Sequence, residues 1–139
     1  MAVLMNKQLG FIVEGGYRAT ADVKPGQFVT LKHDTKEANI ATSIDGAMIV
    51  LQRNDAIDEE AVADSDVVYK KGEFIPLRKL QKGDVFTTDQ FSDDITSIKI
   101  GDKFTVGSNG LVVKDENGAF VVVDIVTLFG NQALKLLVE

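Results

Sequence analysis

Cysteine and tryptophan are absent from the 139-residue sequence, and it has two prolines and one histidine. Without cysteine there is no disulfide, no thiolate nucleophile, no iron–sulfur cluster and no cysteine-ligated zinc. With His33 as the one imidazole, a zinc site would have to be assembled from carboxylates, so neither a metal nor another cofactor is expected. Such a chain suits folding in a reducing cytoplasm. Outside a cell it must draw its persistence from burial or assembly. No apolar run approaches the roughly 18 residues of a membrane span, so no membrane partner is expected. The start, MAVLMNKQLGFIVEGG, has no basic leader, and Asn6, Lys7 and Gln8 interrupt its apolar residues, so no signal peptide is expected. Positive charge is in deficit: 15 Lys and Arg stand against 21 Asp and Glu, a net charge of −6. Such a surface repels phosphate backbones, and nucleic acid is not an expected partner.

What is present reads as a soluble β protein. Hydrophobic residues make up 45% and charged residues 26%, a globular balance at a length that fits one domain. The expected organisation is an N-terminal arm over residues 1–22 and a single β domain over 23–139. In the arm, VLM and FIV can each form a short strand, broken by Gly10, Gly15 and Gly16. An arm this short either packs on the domain or awaits a partner. In GQFVTLK, Phe28 and Thr30 share one face, Val29 and Leu31 the other. Ile40–Ser43 and Ala47–Leu51 flank Asp45-Gly46, which predicts a hairpin. AMIVL is apolar on both faces, which predicts an interior strand. Val67–Lys70 and Glu73–Leu77 flank Lys71-Gly72, a second predicted hairpin, with Pro76 marking an edge or a strand end. DVFTT, DKFTVG, LVVK, AFVVVDIVTL and ALKLLVE read as strands, separated by Lys82-Gly83, Ile100-Gly101, Asn109-Gly110, Asn117-Gly118 and Gly130-Asn131. Helical turns are predicted only near Asp58–Ala63, at 87–94 and near Gly130–Ala133. The fold class is all-β, a small β-barrel, β-tulip or sandwich with an extended N-terminal arm and at most one or two short helices.

One element recurs. VKPGQFVTLK, LQKGDVFTTD and IKIGDKFTVG each place lysine one or two residues before a glycine and threonine four after it: Gly26/Thr30, Gly83/Thr87 and Gly101/Thr105. The glycine suits a turn, the next residue opens a strand, and the lysine keeps the entry soluble. The unequal gaps exclude a repeat array, and without G-x-x-x-x-G-K-[ST] the lysines do not make a phosphate cradle. The turn-forming residues are Gly26, Gly83, Gly101, Asn109 and Gly110.

Candidates for chemistry are few. His33 and Asp34 are neighbours, which in a strand point to opposite faces. Asp93-Asp94 and the acidic segment 54–66 bring carboxylates close in sequence without placing them across a cleft, so no catalytic residue is assigned and no enzyme is expected. The acidic segment could supply oxygen ligands to calcium, but D-x-[DN]-x-[DN]-G is absent. Phe28, Phe86 and Phe104 sit at strand entries, where core packing is their expected use.

The glycine-laden arm, V-K-P-G-Q-F-V-T-L, the K-x-G-D and I-x-x-G-D entries and the closing V-V-V-D-I-V-T-L-F-G-N-Q-A-L-K-L-L-V-E together resemble the capsid decoration, or cementing, proteins of tailed-bacteriophage heads. The resemblance spans most of residues 20–139. The acidic insertion 54–66 and LRKLQKGDVFTTDQF depart from it. The latter is similar to a run of SAF-type β-clip domains, which bind carbohydrate or protein. The first resemblance implies a non-enzymatic virion protein on the capsid exterior, made in the host cytoplasm. Its partner would be the major capsid protein, with itself as a trimer a further implied partner. The arm residues Leu4, Leu9, Phe11 and Ile12 would then contact the capsid. The alternatives are another virion part (a head-fibre base, a tail component or a coat-protein β domain), a β-clip-like binding module, or a small hydrolase.

Overall fold

Apolar residues at alternate positions, punctuated by glycine turns, build two six-stranded sheets. The computed structural model describes residues 3–5, 11–13, 16–51, 68–128 and 131–139. In chain order the strands are β1 (Val3–Met5), β2 (Phe11–Val13), β3 (Arg18–Ala19), β4 (Phe28–Lys32), β5 (Glu37–Ile40), β6 (Ala47–Val50), β7 (Leu77–Lys79), β8 (Val85–Thr88), β9 (Lys103–Val106), β10 (Val112–Lys114), β11 (Phe120–Leu128) and β12 (Asn131–Val138). The first sheet runs β1-β8-β12-β11-β9-β10 and the second β2-β7-β6-β4-β5-β3. Among the described residues the single helical piece is a 3₁₀ turn, Ile95–Ser97, capped by the Asp94 carboxylate. The architecture is sandwich-like and all-β.

The main core lies between the sheets. Phe28 and Ile49 of the second sheet meet Phe86, Phe104, Phe120 and Leu134 of the first, all at most 2% exposed. Phe28, Phe86 and Phe120 form an aromatic trio with centroids 5.2–6.1 Å apart, a separation at which ring pairs add to area burial. The second sheet is apolar on its other face too. There Val29, Val50 and Leu77 join Tyr17, Val23, Tyr69 and Ile75 in a second cluster. The segments carrying these last four run beside each other, bridged at Arg18/Phe74 and Val23/Tyr69. β4 thus feeds Phe28 to one core and Val29 to the other.

Several expectations are corrected. Asp45-Gly46 makes a turn, the Ala47 N–H donating to the Ile44 carbonyl at 3.1 Å, but no hairpin. β5 and β6 both pair with β4, one on each side. A type I′ hairpin turn needs positive φ at both central residues, and only Gly46 has it (+68°). The strand expected at Ile40–Ser43 lies earlier, at Glu37–Ile40, and Ala41 and Ile44 pack into the main core as the chain crosses toward β6. The flanks of Lys71-Gly72 likewise do not pair with each other; both bond to residues 17–23. Residues 87–94 are not helical: β8 runs to Thr88, and Phe91 bridges Val112. Asn131–Ala133 belong to β12 rather than to a helical turn. The helical turn expected at Asp58–Ala63 and the acidic segment 54–66 lie outside the described residues.

Candidate functional site: four glycine turns and two outer strands

The recurrent element has one geometry. At Gly26, Gly83 and Gly101, φ is +95°, +95° and +96°, the value a type II turn requires at its third residue. The turn closes by backbone: Gln27, Asp84 and Asp102 donate their N–H to the carbonyls of Lys24, Gln81 and Lys99 at 3.1, 3.0 and 3.0 Å. It closes again by side chain. Gln27 Oε1, Asp84 Oδ2 and Asp102 Oδ2 accept the N–H of Lys24, Gln81 and Lys99 at 2.7, 2.9 and 2.8 Å. Each glycine N–H then donates to a neighbouring strand, to Val50, Val138 and Val122, all at 2.8 Å. Those valines return a bond to the carbonyls of Gln27, Asp84 and Asp102 at 2.8, 2.9 and 2.9 Å. The side-chain oxygen one residue after glycine and the two-bond clamp on a neighbour therefore define the element.

A fourth copy exists at Lys70–Glu73. Gly72 has φ +90°, Lys70 N–H donates to Glu73 Oε1 at 3.0 Å, and the clamp partner is Ala19. Sequence reading missed it because Pro76, not threonine, stands four places after this glycine. The carboxylate at Glu73 was the available signal. Type II turns splay their flanking strands, which explains why Lys71-Gly72 makes no hairpin.

Asn109-Gly110 does something different. It closes the β9–β10 hairpin, with the Gly110 N–H on the Gly107 carbonyl at 3.2 Å, and it docks on the entry to β4. The Phe28 N–H donates to the Gly110 carbonyl at 2.8 Å, and Gln27 Nε2 reaches the Asn109 carbonyl at 3.4 Å. Gly110 has φ +72°, and a Cβ there would stand 2.6 Å from the Phe28 carbonyl oxygen.

Three of the four arm positions fall on an end strand of a sheet. Leu4 lies in β1 opposite Thr87, and Phe11 and Ile12 lie in β2 opposite Lys79 and Arg78. Leu9 is outside the described residues.

The polar candidates are engaged locally. The Tyr17 hydroxyl lies 2.6 Å from His33 Nδ1, while the Asp34 carboxylate accepts the Thr35 N–H. Asp93 accepts the Lys114 N–H at 2.8 Å. Asp94 accepts the Thr96 N–H, and that bond holds its carboxyl below the usual aspartate range. Asp102 is also lowered, first by the Lys99 N–H and then by Lys114, whose Nζ stands 3.3 Å away. Among the described residues no group of three or more His, Cys, Asp or Glu side chains is placed to hold a metal.

No protein-family model matches this chain, and no curated protein does. Among solved structures, the chain is similar to the head fiber gp8.5 N base of bacteriophage phi29, with a TM-score of 0.58 at 17% identity. The match covers 98% of this chain and 95% of that one. The two share a fold.

Proposed function

We propose that this chain is a non-enzymatic structural protein of a tailed-phage head, mounted on the outside of the shell with the major capsid protein as its partner. The observation that carries this reading is the fold shared, almost end to end, with a domain named as the base of a head fibre. Two roles remain within it: a cementing protein that braces neighbouring subunits, and the mounting base of a head appendage. The fold match favours the base.

The surface suits such a role. Among the described strands β1 and β2 each lie at one edge of their sheet, which supports a reading in which the arm meets the partner. On the outer face of the first sheet Val121, Leu137 and Val85 stand side by side in register, half-buried, an apolar row that a shell could cover. One domain offers little area, but copies linked through an appendage or ranged on a lattice gain by avidity.

The test is co-sedimentation of purified protein with heads of the encoding phage made without this gene product. Binding should saturate at a fixed copy number per shell. Protein left wholly in the supernatant would refute the proposal. Full occupancy with unchanged thermal rupture of the shell would select the mounting base over the cementing protein.

A further inference from the structure

The long β11–β12 hairpin outruns its neighbours. On one side β9 pairs with β11 only at Phe120 and Val121, and the turn at Gly101 clamps Val122. Beyond that, β11 continues for six residues, Val123–Leu128, beside β12 alone among the described strands. An edge of this length, unpaired among the described residues, invites a strand from another chain.

Two features sit where the edge begins. The register slips between Val122 and Asp124, so that Val123 is an extra residue, a β-bulge. After the slip Asp124 pairs with Lys135 and Ile125 with Leu134. Val121 and Leu137 bond across the hairpin, since Val122 and Val138 turn their groups to other neighbours. By alternation the backbone of Asp124 then faces β12, and that of Ile125 faces outward. The outward Ile125 N–H is occupied: the Asp124 Oδ1 accepts it at 2.9 Å. Val123 and Asp124 are exposed.

We propose that Asp124 and the bulge at Val123 form an edge guard that prevents β11 from pairing with a strand of a second copy. The bulge breaks the flat register an incoming strand would need. The carboxylate fills the first outward donor and sets a charge where that strand would lie. Neither function requires the protein to be on a shell, so the inference stands apart from the proposed function.

The test compares the parent with Asp124→Ala, Asp124→Asn and a deletion of Val123. Amide exchange at Ile125 and sedimentation velocity over a concentration series are the readouts. In Asp124→Ala, Ile125 should exchange about tenfold faster in the unassociated protein, as expected when a hydrogen bond worth about 1.4 kcal/mol is lost. At high concentration the variant should associate beyond the parent's own state. The deletion should associate likewise. Asp124→Asn, which keeps an oxygen for the N–H without the charge, should retain slow exchange. Unchanged sedimentation in both Asp124→Ala and the deletion would overturn the guard, even if exchange at Ile125 rose. Association of Asp124→Asn equal to that of Asp124→Ala would overturn the part assigned to the Ile125 hydrogen bond and leave the charge as the guard. Should the deletion fail to fold, Asp124→Ala decides, since it alters one exposed side chain.

Discussion

Gly110 and Gly83 both have positive φ, yet they are not equivalent. At Gly83 an added Cβ meets nothing within 4 Å, while at Gly110 it would press on the backbone of Phe28. Gly83→Ala should therefore cost only the conformational term, about 1 kcal/mol, and Gly110→Ala appreciably more, about 2–4 kcal/mol, because a clash adds to the strain. Urea unfolding of both variants measures this. Equal losses would mean that Gly110 does not seat β4. Asp84 is a second informative residue. It is fully buried; Oδ2 holds the Gln81 N–H, and Oδ1 has no hydrogen-bond partner among the described residues. The equivalent position in the first turn is Gln27, a neutral amide that serves the same purpose. Asp84→Asn should thus keep or raise the melting temperature, whereas Asp84→Ala, which strands the Gln81 N–H, should cost about 1–3 kcal/mol. An Asn variant as damaged as the Ala variant would show that the carboxylate itself is needed. At this scale the sequence was informative about glycine and silent about burial: nothing in LQKGDVF marks Asp84 as interior and Asp102 in IKIGDKF as half-exposed.

At the scale of strands and turns, type was legible and partnership was not. The strands at Phe28–Lys32, Val85–Thr88, Lys103–Val106 and Phe120–Leu128 follow from alternation and β-branched content. Asp45-Gly46 and Lys71-Gly72 do turn the chain, but which strands they bring together depends on distant residues. β4 is apolar on both faces and takes a neighbour on each edge, so β5 cannot keep β6 beside it. Local turn chemistry carries no term for that competition. Cross-links between the sheets were equally hidden. The buried Thr88 hydroxyl donates to the Gly26 carbonyl at 3.2 Å and accepts the Gln90 N–H at 3.1 Å, tying β8 to the turn that starts β4. Thr88→Val keeps the shape and removes both bonds, so it should cost about 1–3 kcal/mol. Thermal unfolding checks this, and a loss within error would mean that the Thr88 bonds do not help to hold the sheets together.

For the whole molecule, charge and surface say more than any single side chain. The acidic segment 54–66 holds six carboxylates and no base, which is the entire net charge of −6; the remaining residues balance. The rest of the chain is thus electrically even. Under the proposed function its apolar outer row and its outer strands β1 and β2 are the surfaces a partner would meet. All-β architecture was legible from composition and turn spacing, while the proposed role rests on a style of sequence and on a shared fold. The most direct measurement of that role is electron cryomicroscopy of heads lacking this gene product, imaged after mixing with the purified protein. Ordered density of this domain's size is expected at repeated positions on the outer surface of the shell, approached through β1, β2 or the Val85–Leu137–Val121 face. Bare shells at saturating protein, or density confined to the interior, would contradict it.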